Sequence, residues 1–443
     1  MMFEDFEEWF AVRDRHDDEK ICPAKLTFSQ ENGITLESIQ FAEFGEIYSA
    51  PNCDGETLTG YLDYQCPTTL IKPWVQSRGG GNLGINTPIM RSKSRIFASA
   101  ILKNIHLEDL NEKCFTALYM DMPAFSAWYA PELVKSGYQD IKVNKPSKLQ
   151  INVDEPIREE FSLKDKTTAL VSSFAEARDE ENTTIITQRT LLTFEFPEAL
   201  DYSAIQKRLM RVNTIFSFFL GHQMAQNPSK LKTTHTKKWN DRNENLVAEF
   251  IFQTDQNRKT RFVRWHDALF LRQDCALTLE NTLNLTIELP DDIFYLMNII
   301  LHIENSKKLS AGDFSQLLGC IENYDINENG SMPSSRAEPN HRSARITLAE
   351  RLNRLQRDWA DSGFREHLEI QEIVSIRNDI SHGRGINLSS EIYQKMVWFN
   401  YDLCAIARFH IFRTLGIQAE EIGAAFRRMH NKYGKYAPAR TSQ

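Results

Sequence analysis

The sequence predicts an α+β protein: a β-rich N-terminal region over residues 1–280, followed by an all-α bundle over residues 290–443. Two observations carry this. Short runs that alternate apolar and polar residues, broken by Gly, Asn, Asp and Pro, fill roughly the first 200 residues. From about residue 290 the apolar spacing lengthens to threes and fours, the period of a helix. Length agrees, because 443 residues with 41% hydrophobic content exceed one ordinary domain and suffice for two or three cores.

The strand candidates, in order, are "KLTFSQ", "ITLESIQFAEF", "TLTGYLDYQ", "SRIFASAILKNIHLE", "CFTALYMDM" and "TLLTFEFPE". Turn signals separate them: "ENG", "CDG", "GGGN" and "YAPE". A sheet sandwich or β-rich α+β unit follows from this pattern. "DYSAIQKRLMRVNTIFSFFLG" then reads as a helix, "PSKLKTTHTKKWNDR" as a basic polar stretch, and the text to about residue 265 as further strand.

In the C-terminal third, "DDIFYLMNIILHIENS" opens with acids, as helix N-termini do. "ARITLAERLNRLQRDWADSG" sets Leu348, Leu352, Leu355 and Trp359 on one helical stripe. "NLSSEIYQKMVWFNYDLCAIARFHIF" does the same with Ile392, Met396, Phe399, Leu403 and Ile406; Ser389 or Ser390 can cap it and Gly416 can end it. "DINENGSMPSSRAEPN" between these helices reads as a polar loop.

Composition narrows the classes. The acidic start "MMFEDFEEWF" lacks the pattern of a secretory signal, and the greasiest stretches fall short of the ~20 residues that span a bilayer. A cytoplasmic protein with no membrane partner is expected. The seven cysteines are scattered without CxxC or Cys/His ligand spacing, so a reduced compartment, no metal and no cofactor are expected. Net charge is -8, but residues 336–443 hold 17 Lys and Arg against 12 Asp and Glu, and the rest holds 35 against 48. That basic excess suits a polyanionic substrate.

Two motif matches carry little. "GGGNLG" at residues 79–84 fits GxGxxG, yet a dinucleotide site needs a helix directly after the glycines, and "INTP" follows instead. A turn is the expectation there. "DINENG" at 325–330 fits half of a calcium loop, but the twelfth position, which should be a bidentate acid, is Arg336. A polar turn is again expected.

The segment "SIRNDISHG", residues 375–383, is different. At about 100° per residue, Ile370, Ile373, Val374 and Ile380 share a face with Arg377 near its centre. A guanidinium there is costly unless it is paired or faces a cleft, partner or ligand. His382 lies about 140° round from Arg377 on an ideal helix, so the two converge only where the helix ends. Gly383 and Gly385 supply that end. One account is structural: an Arg paired with a core acid, and a His capping the last carbonyls. The other is a site.

"RNDISHG" resembles the R-N-x-x-x-H form of the RxxxxH motif of HEPN domains, helical nuclease modules of toxin and phage-defence systems. The chain as a whole resembles the ApeA type of defence protein, in which a β-rich N-terminal region precedes an ApeA-like HEPN domain. The HEPN resemblance covers about residues 290–435; the N-terminal one rests on layout and the "GYLDYQCP…W" texture. The resemblance implies Arg377, Asn378 and His382 as the active-site motif, with Asp379 and Ser381 at its variable positions. It implies a metal-independent endoribonuclease acting in abortive infection as a toxin, on tRNA or other translation RNA. It also implies a homodimer through the HEPN domain, and an N-terminal region that senses a phage-derived trigger or restrains the nuclease. The alternative is a non-catalytic HEPN module that binds RNA or protein.

The residue types suit that chemistry. RNA carries its own nucleophile, the 2′-hydroxyl. A histidine titrates near neutrality and can move its proton, and an arginine fork can bind the charged phosphorane. Asn378 can hold the phosphate or orient His382, whose role as base, acid or phosphate ligand stays open. The tail "RRMHNKYGKYAPAR" places Arg427, Arg428, Lys432, Tyr433 and Lys435 in an acid-free run, with Tyr436 and Arg440 beyond. Such a run either grips phosphates and stacks bases or is a solvated end. "RKTRFVRW" at 258–265 poses the same choice.

Overall fold

The structure is a computed structural model. It describes residues 5–13, 21–29, 32–43, 55–63, 65–82, 89–129, 133–139, 148–180, 183–224, 227–239, 242–252, 268–274, 276–306, 308–329, 346–363, 368–383 and 389–433. They fall into two compact units. The first is Met1–Ser126 with Pro131–Leu209 and Met224–Arg261, and the second is Ala127–Ala130 with Met210–Gln223 and Phe262–Gln443. The predicted class holds at this level, a β-rich N-terminal region and a helical C-terminal part.

The strands of the first unit are β1 (Phe6–Arg13), β2 (Ile21–Ser29), β3 (Gly33–Glu43), β4 (Thr57–Leu62), β5 (Cys66–Ile71), β6 (Trp74–Asn82), β7 (Ile89–Ala98), β8 (Ala100–Lys103), β9 (Phe115–Asp121), β10 (Val134–Gln139), β11 (Lys148–Val153), β12 (Ile157–Ser162), β13 (Thr168–Glu180), β14 (Thr183–Leu200), β15 (Ser229–Trp239) and β16 (Arg242–Phe252). Fourteen of them form one sheet in the order β12-β13-β14-β9-β15-β16-β8-β5-β4-β1-β2-β3-β7-β6, with β10 and β11 paired separately. The pairings are antiparallel; β1 meets β2 through Phe10↔Ala24, for example. Alternation does the folding work: Ala24, Leu26 and Phe28 of β2 point into one core with Ile34 and Leu36 of β3 and Phe10 and Val12 of β1. Gly60 lets β4 close on that core, because a Cβ there would stand 2.6 Å from the Phe10 ring and closer still to the Ala11 carbonyl. The edge strand β12, "IREEFS", buries none of its side chains, and its charges blunt the open edge.

Two local expectations need correction. Gly79–Asn82 of the GxGxxG match form no turn; they continue β6 in register with β7, Gly79 opposite Lys93 and Asn82 opposite Met90. Strand pairing outweighs the turn bias of glycine where a partner strand is at hand. The polar "PSKLKTTHTKKWNDR" supplies β15, whose Leu231 and Thr233 are buried while Lys230 and Lys232 are exposed. The 258–265 run and the half of "GGGNLG" beyond Asn82 lie outside the described residues.

The helices are α1 (Pro123–Tyr129), α2 (Tyr202–Leu220), α3 (Leu279–Glu288), α4 (Asp291–Asn305), α5 (Ala311–Asn329), α6 (Leu348–Asp361), α7 (Ile370–Ser381), α8 (Ser390–Thr414) and α9 (Ala419–Tyr433). The "TIFSFFL" end of α2 belongs to the second unit and is apolar nearly all round. Phe218 packs at a tilt against Phe412 of α8, ring centroids 5.0 Å apart, and Phe216 lies 5.0 Å from Trp128. The longest helix, α8, touches α4, α5, α6, α7 and α9. Met396, Phe399, Leu403 and Ile406 are buried as their spacing predicts, while Ile392 is half-buried. Ser389 caps α8, its Oγ accepting from the Ile392 N–H at 3.3 Å. Thr347 and Glu350 form a capping box at the start of α6. Among the described residues no helix is long and apolar enough to cross a membrane.

The half calcium loop is also corrected. Asp325 to Asn329 complete α5, and Asp325 is fully buried, where it accepts from Arg351 at 2.8 Å and from Arg354 Nε at 3.0 Å. Two arginines on α6 make a buried carboxylate tolerable, and so extend the helix through residues whose local bias is a turn. The rest of the expected loop, from Gly330, lies outside the described residues.

Candidate active site

The motif sits on the last turn of α7. Ile370, Ile373 and Ile376 are the buried residues of this helix, whereas Val374, Arg377 and Ile380 are half-buried. The buried stripe therefore centres on Ile373, not on Arg377 as the helical wheel suggests. Arg377 lies about 40° round from Ile373 and a turn nearer the C-terminal end.

The helix ends where the glycines predict. His382 is the C-cap residue with φ -91 and ψ 11; its N–H bonds the Asn378 carbonyl at 3.0 Å. Gly383 follows at φ +70 and bonds the Ile380 carbonyl at 3.1 Å. A Cβ on Gly383 would meet nothing within 4 Å, so the backbone, not space, calls for glycine. The Ser381 Oγ donates to the Arg377 carbonyl at 2.8 Å, satisfying one of the last carbonyls of the helix.

The three motif side chains differ in setting. Arg377 is 36% exposed, and its Nη2 lies 3.6 Å from Oε2 of Glu322 on α5. That is a long, part-solvated ion pair of the kind that contributes about 0–1 kcal/mol. Asn378 and His382 are exposed, and no hydrogen bond joins any two of the three side chains among the described residues. The structure places Arg377, Asn378 and His382 at one helix end without locking them together. Sequence reasoning did not find Glu322, since an acid on α5 carries no local mark of facing residue 377.

Charge is graded along α7. At its start Glu372 bonds Lys395 of α8 at 2.7 Å, which holds the Glu372 carboxyl below its ordinary value and raises the Lys395 ammonium. Glu369 is raised by sharing a hydrogen bond with Glu372. The helix is thus acidic where its dipole is positive and carries Arg377 and His382 where it is negative. Such an end can take an anion on the Arg377 fork in exchange for Glu322, beside an imidazole open to solvent.

The basic tail is divided. Lys432 and Tyr433 fall in the last turn of α9, and Lys435 lies outside the described residues. Arg427 is exposed. Arg428 ties α9 down, with Nη2 2.6 Å from the Leu269 carbonyl and 3.2 Å from Asp274.

Compared with known proteins, the chain matches the family described as ApeA N-terminal domain 1 over residues 8–284. No curated protein and no solved structure matches the chain. The motif helix α7 lies beyond the matched residues.

Proposed function

The chain belongs to the ApeA family of anti-phage defence proteins, and from that premise we propose that its helical part is a HEPN-type, metal-independent endoribonuclease whose action aborts infection. The observation that carries this reading is the end of α7: a part-exposed arginine with a weak internal partner, and an exposed histidine at the C-cap of the same helix. Arg377 stabilises the phosphorane, His382 moves a proton to or from the reacting oxygens, and Asn378 holds the phosphate or orients the imidazole. The substrate is RNA, with tRNA or another translation RNA as the target class. The N-terminal β region senses a phage-derived trigger or restrains the nuclease.

One Arg and one His make a sparse site, and the reading adds a second copy of the chain. Val374 and Ile380 of α7 are half-open, and Tyr393, Trp398 and Tyr401 of α8 are exposed, Trp398 at 69%. A two-fold pairing through the helical part would cover such apolar surface and double the cationic groups. Ile380→Asp is then expected to yield folded monomers by sedimentation that no longer cut. A monomer cutting at the wild-type rate excludes the shared site.

The test of the chemistry is expression of wild type beside His382→Ala, with sequencing of cellular RNA ends. Attack by the 2′-hydroxyl leaves 2′,3′-cyclic phosphate and 5′-hydroxyl ends, and cleavage persists when EDTA is added to the assay. Loss of general acid–base help lowers cleavage by about 10²–10⁴-fold. Full protection from phage by His382→Ala would sink the mechanism, and 5′-phosphate ends would point to metal-activated water. The Glu322 contact favours a second reading, in which Arg377 is structural and the helical part binds RNA or protein without cutting. Intact RNA alongside folded wild type would select it.

A further inference from the structure

We propose that Glu112, Cys114 and His235 form a zinc(II) site in the β unit, with a fourth coordination position open to solvent. The three residues are far apart in sequence and meet through strand pairing. Cys114 directly precedes β9, and its backbone is held on both sides: its N–H bonds the Leu200 carbonyl at 3.2 Å, and its carbonyl accepts the Thr234 N–H at 2.7 Å. Glu112 stands two residues earlier. His235 lies on β15, the neighbour of β9, where the register slips between Lys232 and Thr233 against β9 and between Lys232 and Thr236 against β16. A bulge of this kind re-aims a side chain, and bulges concentrate near functional sites.

The result is one carboxylate oxygen, one thiol sulfur and one imidazole nitrogen, all within 4.8 Å of one another. Nε2 of His235 is 2.9 Å from Oε1 of Glu112. Tetrahedral zinc, with bonds of about 2.3 Å to sulfur and 2.0–2.1 Å to nitrogen, sets its ligand atoms roughly 3.5 Å apart, so the site assembles if the His235–Glu112 pair opens by about half an ångström and the wider separations close by about an ångström. Glu112 and His235 are part-exposed, at 42% and 33%, and have room to make these shifts.

The donor set chooses the metal. A soft sulfur, an imidazole and a single carboxylate suit zinc and do not suit magnesium or calcium, which take oxygen. Three protein ligands are the number at which zinc retains an exchangeable position. Cys114 is fully buried, while Glu112 and His235 are part-exposed. On binding, the S–H bond breaks, the sulfur–zinc bond forms and the proton leaves to solvent. The ion would tie the bulge of β15 to the segment entering β9, the fifth and fourth strands of the sheet order. The rival account is a surface His–Glu pair beside a core cysteine.

Full-length protein, stripped with a chelator and dialysed, is titrated with cobalt(II) and then with zinc(II). The expected result is one equivalent of cobalt with a near-ultraviolet thiolate-to-cobalt charge-transfer band, displaced by zinc. His235→Asn and Cys114→Ser each remove that band, with a loss of affinity beyond the roughly 10–100-fold that an outer-shell partner costs. No thiolate band in wild type overturns the proposal, as does a band that survives in either folded variant. Should Cys114→Ser fail to fold, His235→Asn decides alone, since it alters a part-exposed side chain: unchanged cobalt binding overturns the site, and its loss sustains it.

Discussion

Two arginine–histidine pairs of the helical part differ sharply in setting. Arg377 and His382 sit on α7; Arg408 and His410 sit on α8. The Arg408 side chain is 0% exposed, donates to the Phe218 carbonyl at 2.7 Å and to Glu304 at 2.5 Å, and lies 4.1 Å over the Phe218 ring. His410 is 8% exposed, its Nε2 3.0 Å from the Leu355 carbonyl. A carbonyl only accepts, so His410 is the Nε2–H tautomer. In α7 the arginine meets Glu322 at 3.6 Å and the histidine is exposed. Burial with an ion-pair partner and carbonyl acceptors marks a pair that holds the fold. Part exposure with a weak partner marks one that is free to take a ligand.

Three measurements press on that contrast. Arg408→Ala breaks a buried ion pair with Glu304, itself only 5% exposed; unfolding free energy is expected to fall by about 3–5 kcal/mol in denaturant melts. A fall under ~1 kcal/mol would erase the distinction.

Arg377→Ala is expected to cost no more than about 1 kcal/mol of stability, the scale of an exposed ion pair, while cleavage is lost. Arg377→Lys should behave alike, because an ammonium cannot reproduce the bidentate fork. A large loss of stability in either variant would move Arg377 into the class of Arg408.

The smallest effect concerns pH. Burial depresses the His410 pKa below its ordinary value. Below about 6.5 the unfolded chain therefore takes up a proton that the folded chain refuses, and stability drops by at most about 1.4 kcal/mol per pH unit until the folded pKa is reached. Urea melts at neutral and mildly acid pH should show His410→Gln less acid-sensitive than wild type. Equal sensitivity would mean that His410 is not the group responsible.

Legibility followed locality. The α8 stripe, its Ser389 cap and the glycine end of α7 were readable because each depends on residues within about two turns. "DINEN" was misread because two arginines more than twenty residues away hold Asp325 in a helix. "GGGN" was misread because β7 supplies ladder partners that no local pattern announces.

By itself the sequence determined the α+β class, the helical stripes, the end of α7 at Gly383 and the presence of an arginine, an asparagine and a histidine on its last turn. Those follow from backbone geometry and side-chain periodicity, which act over a few residues. Only the tertiary structure decided that Glu322 faces Arg377, that Arg408 is the buried arginine, and that Cys114 meets His235. Scattered cysteines gave no ligand spacing to read, since a strand register brings together residues more than a hundred positions apart. Burial and charge pairing are set by which surfaces meet, and that is a property of the packed chain.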